Sequence, residues 1–161
     1  MPLRRTRTYQ SFSSEGTKTL GEELAKKILK KAGRRKSAAI FALKGDLGAG
    51  KTTFVQGFFK GLGMKKRASS PTFVIMRRYA LPRVCAHKGL ANVFHADAYR
   101  LKGAKHFAAI GFKEILADPR NVALIEWAER IKNILPKDAV WLAFRHGKHE
   151  NERHIMINGN A

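Results

Sequence analysis

Acidic residues are scarce in this 161-residue chain: 12 Asp and Glu stand against 32 Lys and Arg, a formal charge of +20. That imbalance excludes an acidic surface. It predicts salt-dependent attraction to polyanions, nucleic acid above all, unless the charge serves only to solvate the surface. There is one cysteine, Cys85, so no internal disulfide can form. It has no Cys or His partner at ligand spacing, which argues against a zinc site and suits a reducing cytoplasm. Long apolar runs are missing, and none approaches the roughly 20 residues a membrane span needs, so no membrane partner is expected. The basic start, Met1 to Arg7, has no apolar segment behind it and is no secretory signal. Its Arg/Ser/Thr content would also suit an organelle transit peptide, but it reads better as a flexible tail over residues 1–12. Also absent are an aromatic-interleaved RNA motif of the RRM type, an Asn-Lys-x-Asp guanine-reading motif and the Arg-rich lid of a small kinase.

What is present is a glycine loop. Gly45-Asp46-Leu47-Gly48-Ala49-Gly50-Lys51-Thr52 fits G-x-x-x-x-G-K-[ST], the phosphate-binding loop of nucleoside-triphosphate enzymes. An apolar run from Ala38 to Leu43 precedes it as a buried strand. A helical pattern carrying Phe54, Val55, Phe58 and Phe59 follows, stopped by Gly61 and Gly63. Strand, loop and helix in that order are the context the motif requires. Backbone N–H groups from Gly48 to Thr53 converge on phosphate oxygens, and the helix N-terminus adds its positive dipole end. Lys51 is expected to reach the β/γ-phosphates and the Thr52 hydroxyl to bind magnesium. ATP and Mg2+ are the implied cofactors.

Such a loop needs an acidic partner for the metal and a group that positions water. Asn121–Glu126 offers apolar residues ending in a carboxylate, the shape of a Walker B strand with Glu126 as the acid, unless that acid merely faces solvent. Asp97, in His95-Ala96-Asp97-Ala98-Tyr99-Arg100, is a second acid at a strand end. It either binds metal through water, orients the nucleophile, or caps a turn. His95 reads as a strand histidine with a hydrogen-bonding role. Ser70-Pro71-Thr72 resembles a switch loop, and Trp127 is either core or a flank to nucleotide or partner.

At this length one domain, 1–161, is expected. The spacing of Leu20, Leu24, Ile28 and Leu29 predicts a helix over 17–32, capped by Ser13 or Ser14 and ended by Gly33. Strands are expected at 73–79, 92–98, 122–125, 139–144 and 153–157. Residues 80–90 read as a hairpin connection, and 106–116 as a short helical region broken at Gly111. The fold class is α/β: a P-loop NTPase with a mainly parallel central sheet, flanking helices and antiparallel additions.

Four motifs in this order, Gly45–Thr53, Ser70–Phe73, His95–Leu101 and Ile125–Arg130, resemble the TsaE (YjeE) family over about residues 13–157. The resemblance implies a small bacterial P-loop ATPase required for threonylcarbamoyladenosine modification of tRNA at the adenosine next to the anticodon. It implies action with the TsaB–TsaD complex, weak ATPase activity alone, and turnover that resets that complex. By position it assigns phosphate contacts to Gly48, Ala49, Gly50, Lys51, Thr52 and Thr53. Metal binding falls to Thr52 and Glu126, hydrolysis to Lys51, Asp97 and Glu126, and a switch role to Thr72. Trp127 would lie beside the acids, and Thr17 near adenine. Contact with tRNA would be mainly indirect, with the basic surface available for direct contact. A small-molecule kinase, or a basic RNA binder holding ATP as a structural ligand, are the alternatives.

Overall fold

The computed structural model describes residues 6–66, 68, 75–100 and 105–159. Seven strands form one sheet in the order β1-β7-β6-β2-β5-β4-β3. Its centre is parallel: β2 (Ala39–Gly45) lies between β6 (Val140–His146) and β5 (Asn121–Glu126), and β5 also pairs with β4 (Asn92–Asp97). Antiparallel strands finish both edges. At one edge β7 (Arg153–Asn158) pairs with β6 and β1 (Thr6–Ser11) with β7; at the other, β3 (Met76–Ala80) pairs with β4. This is the α/β architecture expected from the sequence.

The two innermost strands carry uninterrupted apolar runs, Ala39–Leu43 of β2 and Val122–Ile125 of β5, because both sheet faces are covered there. Alternation sorts their side chains between two cores. Ala39, Phe41 and Leu43 of β2, with Val122 and Leu124 of β5, pack under α1 (Ser14–Lys31) and α2 (Lys51–Gly61). Ile40, Ala42, Ala123 and Ile125 pack on the opposite face against Phe107 of α4 (Lys105–Ala109), Phe112 and Leu116 of α5 (Phe112–Ala117), and Ile131 of the 3-10 segment Ala128–Ile134. Ser13 caps α1 by accepting from Gly16 N–H at 3.0 Å. Gly111, with φ +70°, separates α4 from α5, as the break there predicted.

α1 and α2 run in the same sense and touch through glycine. A Cβ added at Gly57 would stand 2.0 Å from the Lys18 carbonyl oxygen, a backbone atom that can yield only if the helices part. Gly57→Ala is therefore expected to cost about 3 kcal/mol, seen as a fall in melting temperature of roughly 10 °C. An unchanged melting curve would show that the pair is not tightly seated.

One expectation is corrected and two are refined. The chain is not a loose tail through residue 12, because Thr6–Ser11 forms β1 in register with β7. Tyr9 packs on the core and its hydroxyl donates to the Gly16 carbonyl at 3.3 Å, while Gln10 donates to Glu152 at 2.6 Å. The 80–90 connection does join antiparallel β3 and β4 as a hairpin, but it is more than a turn. It holds a helical turn, α3 (Arg83–Ala86), whose buried Cys85 thiol donates to the Leu62 carbonyl at 3.3 Å. Burial raises the pKa of that thiol, against a smaller opposing effect from Lys88, so Cys85 acts as a packing residue. Third, the strand foreseen at 73–79 is β3, Met76–Ala80; Phe73 and Val74 lie outside the described residues.

Glu152 locks the sheet edge. Its carboxylate accepts from Gln10, from the Lys148 and His149 N–H groups in the β6–β7 turn, and contacts His154. The Gln10 hydrogen bond, then the backbone and His154 bonds, outweigh burial and hold its pKa at about 2 against an ordinary 4.5. A depressed carboxylate contributes stability fully above its unfolded pKa and loses it as pH falls through the folded value. The contribution therefore fades between pH 4.5 and about 2. Denaturant midpoints measured across that window are expected to fall less steeply in Glu152→Gln than in the native chain.

Candidate functional site

The phosphate loop leaves β2 at Gly45 and enters α2 at Lys51, at the C-terminal edge of the parallel strands, where ligands bind in open α/β sheets. Gly50 takes φ +103°, a left-handed conformation that a side chain would strain. It sits over the start of α1: a Cβ there would lie 3.5 Å from Thr17 Cγ2 and 3.9 Å from Arg153 Cγ. Ala49 is buried beneath the loop, Gly48 is exposed, and Thr53 is half-buried in the first turn of α2.

Lys51 curls back over this loop. Its Nζ donates to the Gly45 carbonyl at 2.6 Å and the Asp46 carbonyl at 2.8 Å, and lies 4.1 Å from the Trp127 ring centroid. Burial lowers its pKa, and Glu126, Glu129, Asp97 and Asp46 oppose that in turn. Four of the chain's twelve acids thus surround this one cation.

Glu126 ends β5 with its side chain on the α2 face of the sheet. Its two carboxylate oxygens lie 3.1 and 3.0 Å from the Thr52 hydroxyl. One of them also lies 2.8 Å from His95 Nε2, in a pair where both side chains are almost wholly buried. His95 Nδ1 is buried without a hydrogen-bond partner. A proton on Nε2 lets the ring donate to the carboxylate and leaves Nδ1 as the unmet atom. His95 therefore holds Glu126 from behind while Thr52 meets it in front. Asp97 stands in register with Glu126 on the neighbouring strand, half-buried, and accepts from the Tyr99 N–H at 2.8 Å.

Trp127 is the only non-glycine residue with positive φ (+55°) among the described residues. That strained turn swings its indole between Lys51 and Tyr99, whose ring centroid is 4.8 Å away. Arg130 in turn lies over Tyr99 at 5.0 Å. Thr17 is near the loop as expected, but it is buried, and its hydroxyl donates to Ser11 Oγ at 3.0 Å. Thr72 and the rest of Ser70-Pro71-Thr72 lie outside the described residues. Lys51, Thr52, Asp97, Glu126 and Trp127 thus converge, with Gly48–Thr53 as floor.

Two further residues reach the loop without any motif to announce them. Arg153 donates to the Gly48 carbonyl at 3.2 Å, and His146 Nε2 lies 3.3 Å from the Leu47 carbonyl. Strand register alone carries them there, since β6 and β7 join through the turn that Glu152 ties.

The donor set suits a small hard cation. A hydroxyl and a carboxylate meet, both oxygen ligands. Among the described residues no group of three or more His, Cys, Asp or Glu side chains could cage a metal. Magnesium is ordinarily bound through one or two carboxylates together with phosphates and water, so Thr52 and Glu126 fit it as partial ligands. The arrangement has the parts of phosphoryl chemistry: a cationic anion cradle, a metal-ligand pair and a neighbouring acid.

Residues 11–155 match the model of a family described as threonylcarbamoyl adenosine biosynthesis protein TsaE. The chain belongs to the TsaE family. Membership places it in the biosynthesis of threonylcarbamoyladenosine on tRNA. Among its relatives, the tRNA threonylcarbamoyladenosine biosynthesis protein TsaE of Bacillus subtilis is 34% identical over 145 residues, 89% of this chain and 85% of that protein. The TsaE protein of Treponema pallidum is 36% identical over 107 residues, 66% of this chain and 73% of its own. The crystal structure of Bacillus subtilis YdiB superposes with a TM-score of 0.71 at 26% identity, covering all of this chain and 90% of the other. The TsaE resemblance stated from four motifs therefore holds along nearly the whole chain.

Proposed function

We propose that this TsaE family member is a Mg-dependent ATP hydrolase acting with the TsaB–TsaD complex in threonylcarbamoyladenosine modification of tRNA, at the adenosine next to the anticodon. The observation that carries the reading is the meeting of Thr52 with Glu126 at 3.0–3.1 Å. It joins the phosphate loop to the acidic strand end across 74 residues of sequence. In this reading Lys51 and the Gly48–Thr53 backbone bind the phosphates. Thr52 and Glu126 hold magnesium, which supplies charge neutralisation on the phosphate oxygens. Glu126 and Asp97 position the attacking water, and Trp127 flanks the nucleotide. Thr72 serves the switch loop, and Thr17 supports the adenine side through the loop floor.

Weak turnover alone follows from exposure. Leu47 on the loop is 84% exposed and Tyr99 beside Trp127 is 49% exposed. An open rim admits water to the charges and leaves apolar surface for a partner to cover. No helix among the described residues is long and apolar enough to cross a membrane, and the proposed setting is the cytoplasm, where tRNA is modified. The test is ATP hydrolysis at moderate salt by the chain alone and with TsaB–TsaD. Hydrolysis that rises sharply with the partners supports the reading. Absence of both complex formation and stimulation overturns it and favours a nucleotide-holding RNA binder.

A further inference from the structure

The positive charge is partitioned along the chain. From Leu24 to Ala96 there are 17 Lys and Arg and one acid, Asp46, which belongs to the phosphate loop. The fold gathers most of these cations at one end. α1 and α2 run side by side in the same sense, so Lys26, Lys27, Lys30 and Lys31 of α1 finish beside the exit of α2 with Lys60, Lys65 and Lys66. The chain after α1 (Arg34, Arg35, Lys36) lies against the α3 turn, where a Cβ at Gly89 would stand 3.2 Å from Gly33. The Cys85–Leu62 hydrogen bond ties that turn, with Arg83, His87 and Lys88, to the α2 exit. Edge strand β3 continues the surface: Tyr79 packs on Phe59 at 5.0 Å, and exposed Arg77 shares its face of the strand. Acids are few there among the described residues: Glu22, held by Lys60 at 2.8 Å, its exposed neighbour Glu23, and Asp118, paired with Arg120 at 2.8 Å.

We propose that this end of the molecule binds the phosphate backbone of folded tRNA. A dense cationic face with no sequence-reading motif gives the sequence-tolerant, salt-dependent attachment that counterion release provides. It is distinct from the nucleotide site, because α2 begins at the phosphate loop and its 11 residues carry the face about 16 Å away. An anionic membrane is the poorer occupant. The apolar side of α1 (Leu20, Leu24, Ala25, Ile28) is buried inside the protein, leaving no stripe to insert between lipids. The choice of tRNA among polyanions rests on the family role; the face itself does not.

The test measures binding of unmodified tRNA against salt concentration for two charge-matched variants of the full chain. One carries Lys30→Gln, Arg34→Gln, Lys36→Gln and Lys65→Gln, all exposed positions on the face. The other carries Lys105→Gln, Lys113→Gln, Lys132→Gln and Lys148→Gln, exposed positions elsewhere. The face variant is expected to lose about tenfold or more in affinity near 0.1 M salt, and about one unit of salt slope for each cation that contacts phosphate. The control variant is expected to stay within about twofold of the native chain. ATP affinity should be unchanged in both, which also reports that both are folded. Equal losses in the two variants, or native affinity in the face variant, overturn the proposal. So does a native chain that binds anionic phosphatidylserine vesicles or the TsaB–TsaD proteins through this face but not tRNA. Hydrolysis is read separately, so failure of the ATPase reading leaves this test standing and failure here leaves the ATPase reading standing.

Discussion

Glu126→Gln is expected to bind ATP while losing about a thousandfold in turnover. The substitution keeps the shape of a side chain that is almost fully buried and can still meet His95 and Thr52. It removes the negative charge that, in the proposed function, would face the metal and draw a proton from water. Replacement by alanine would also strip His95 Nε2 of its acceptor in a buried place and mix stability with chemistry. Glutamine separates them. The check pairs single-turnover hydrolysis in the presence of TsaB–TsaD with calorimetric ATP binding. Native turnover in Glu126→Gln would remove the catalytic assignment and shift it to Asp97. Loss of binding with loss of turnover would instead make Glu126 a binding residue.

Lys51→Ala is expected to fail one step earlier, at nucleotide binding. Lys51 is 5% exposed and is held by the Gly45 and Asp46 carbonyls of the loop. A charge-assisted hydrogen bond in such a place is worth about 3 kcal/mol, which is roughly a hundredfold in affinity. Loss of the cation also leaves Glu126, Glu129, Asp97 and Asp46 without their common counter-charge, so a polyanionic ligand meets net repulsion. Titration with a slowly hydrolysed ATP analogue measures it. An affinity within threefold of native would show that the loop backbone alone holds the nucleotide.

The parts of this protein that were legible in the sequence are those with strong local signals. The buried strand, glycine loop and apolar helix over 38–62 stand where the motif required them. β5 was visible because both sheet faces cover it, leaving apolar residues uninterrupted from Val122 to Ile125. β1 was not visible. It is an edge strand with one apolar residue, Tyr9, and it is held by register with β7 and by Gln10 on Glu152, interactions that span about 140 residues. The 3-10 segment after Trp127 was missed for a related reason: a left-handed tryptophan is a tertiary compromise that no local propensity favours. Within the site, motif residues were found and their supports were not. His95 stood inside a recognised motif, but its grip on Glu126 depends on two neighbouring strands being in parallel register. Arg153 reaches the loop only because the sheet folds β7 to that edge. Chain-wide charge was obvious, whereas its division into an acid-lined glycine loop and a cationic far end needed the helices to be set side by side.

In the proposed function, ATP turnover by this chain sustains tRNA modification. Its most direct measurement is multiple-turnover threonylcarbamoyladenosine formation on unmodified tRNA by TsaB–TsaD supplied with preformed threonylcarbamoyl-adenylate, with and without this protein and ATP. Repeated cycles are predicted only when the native chain and hydrolysable ATP are both present, with Lys51→Ala and Glu126→Gln each giving no more than the first cycle. Equal product in the absence of the chain, or full cycling with Lys51→Ala, would contradict the account.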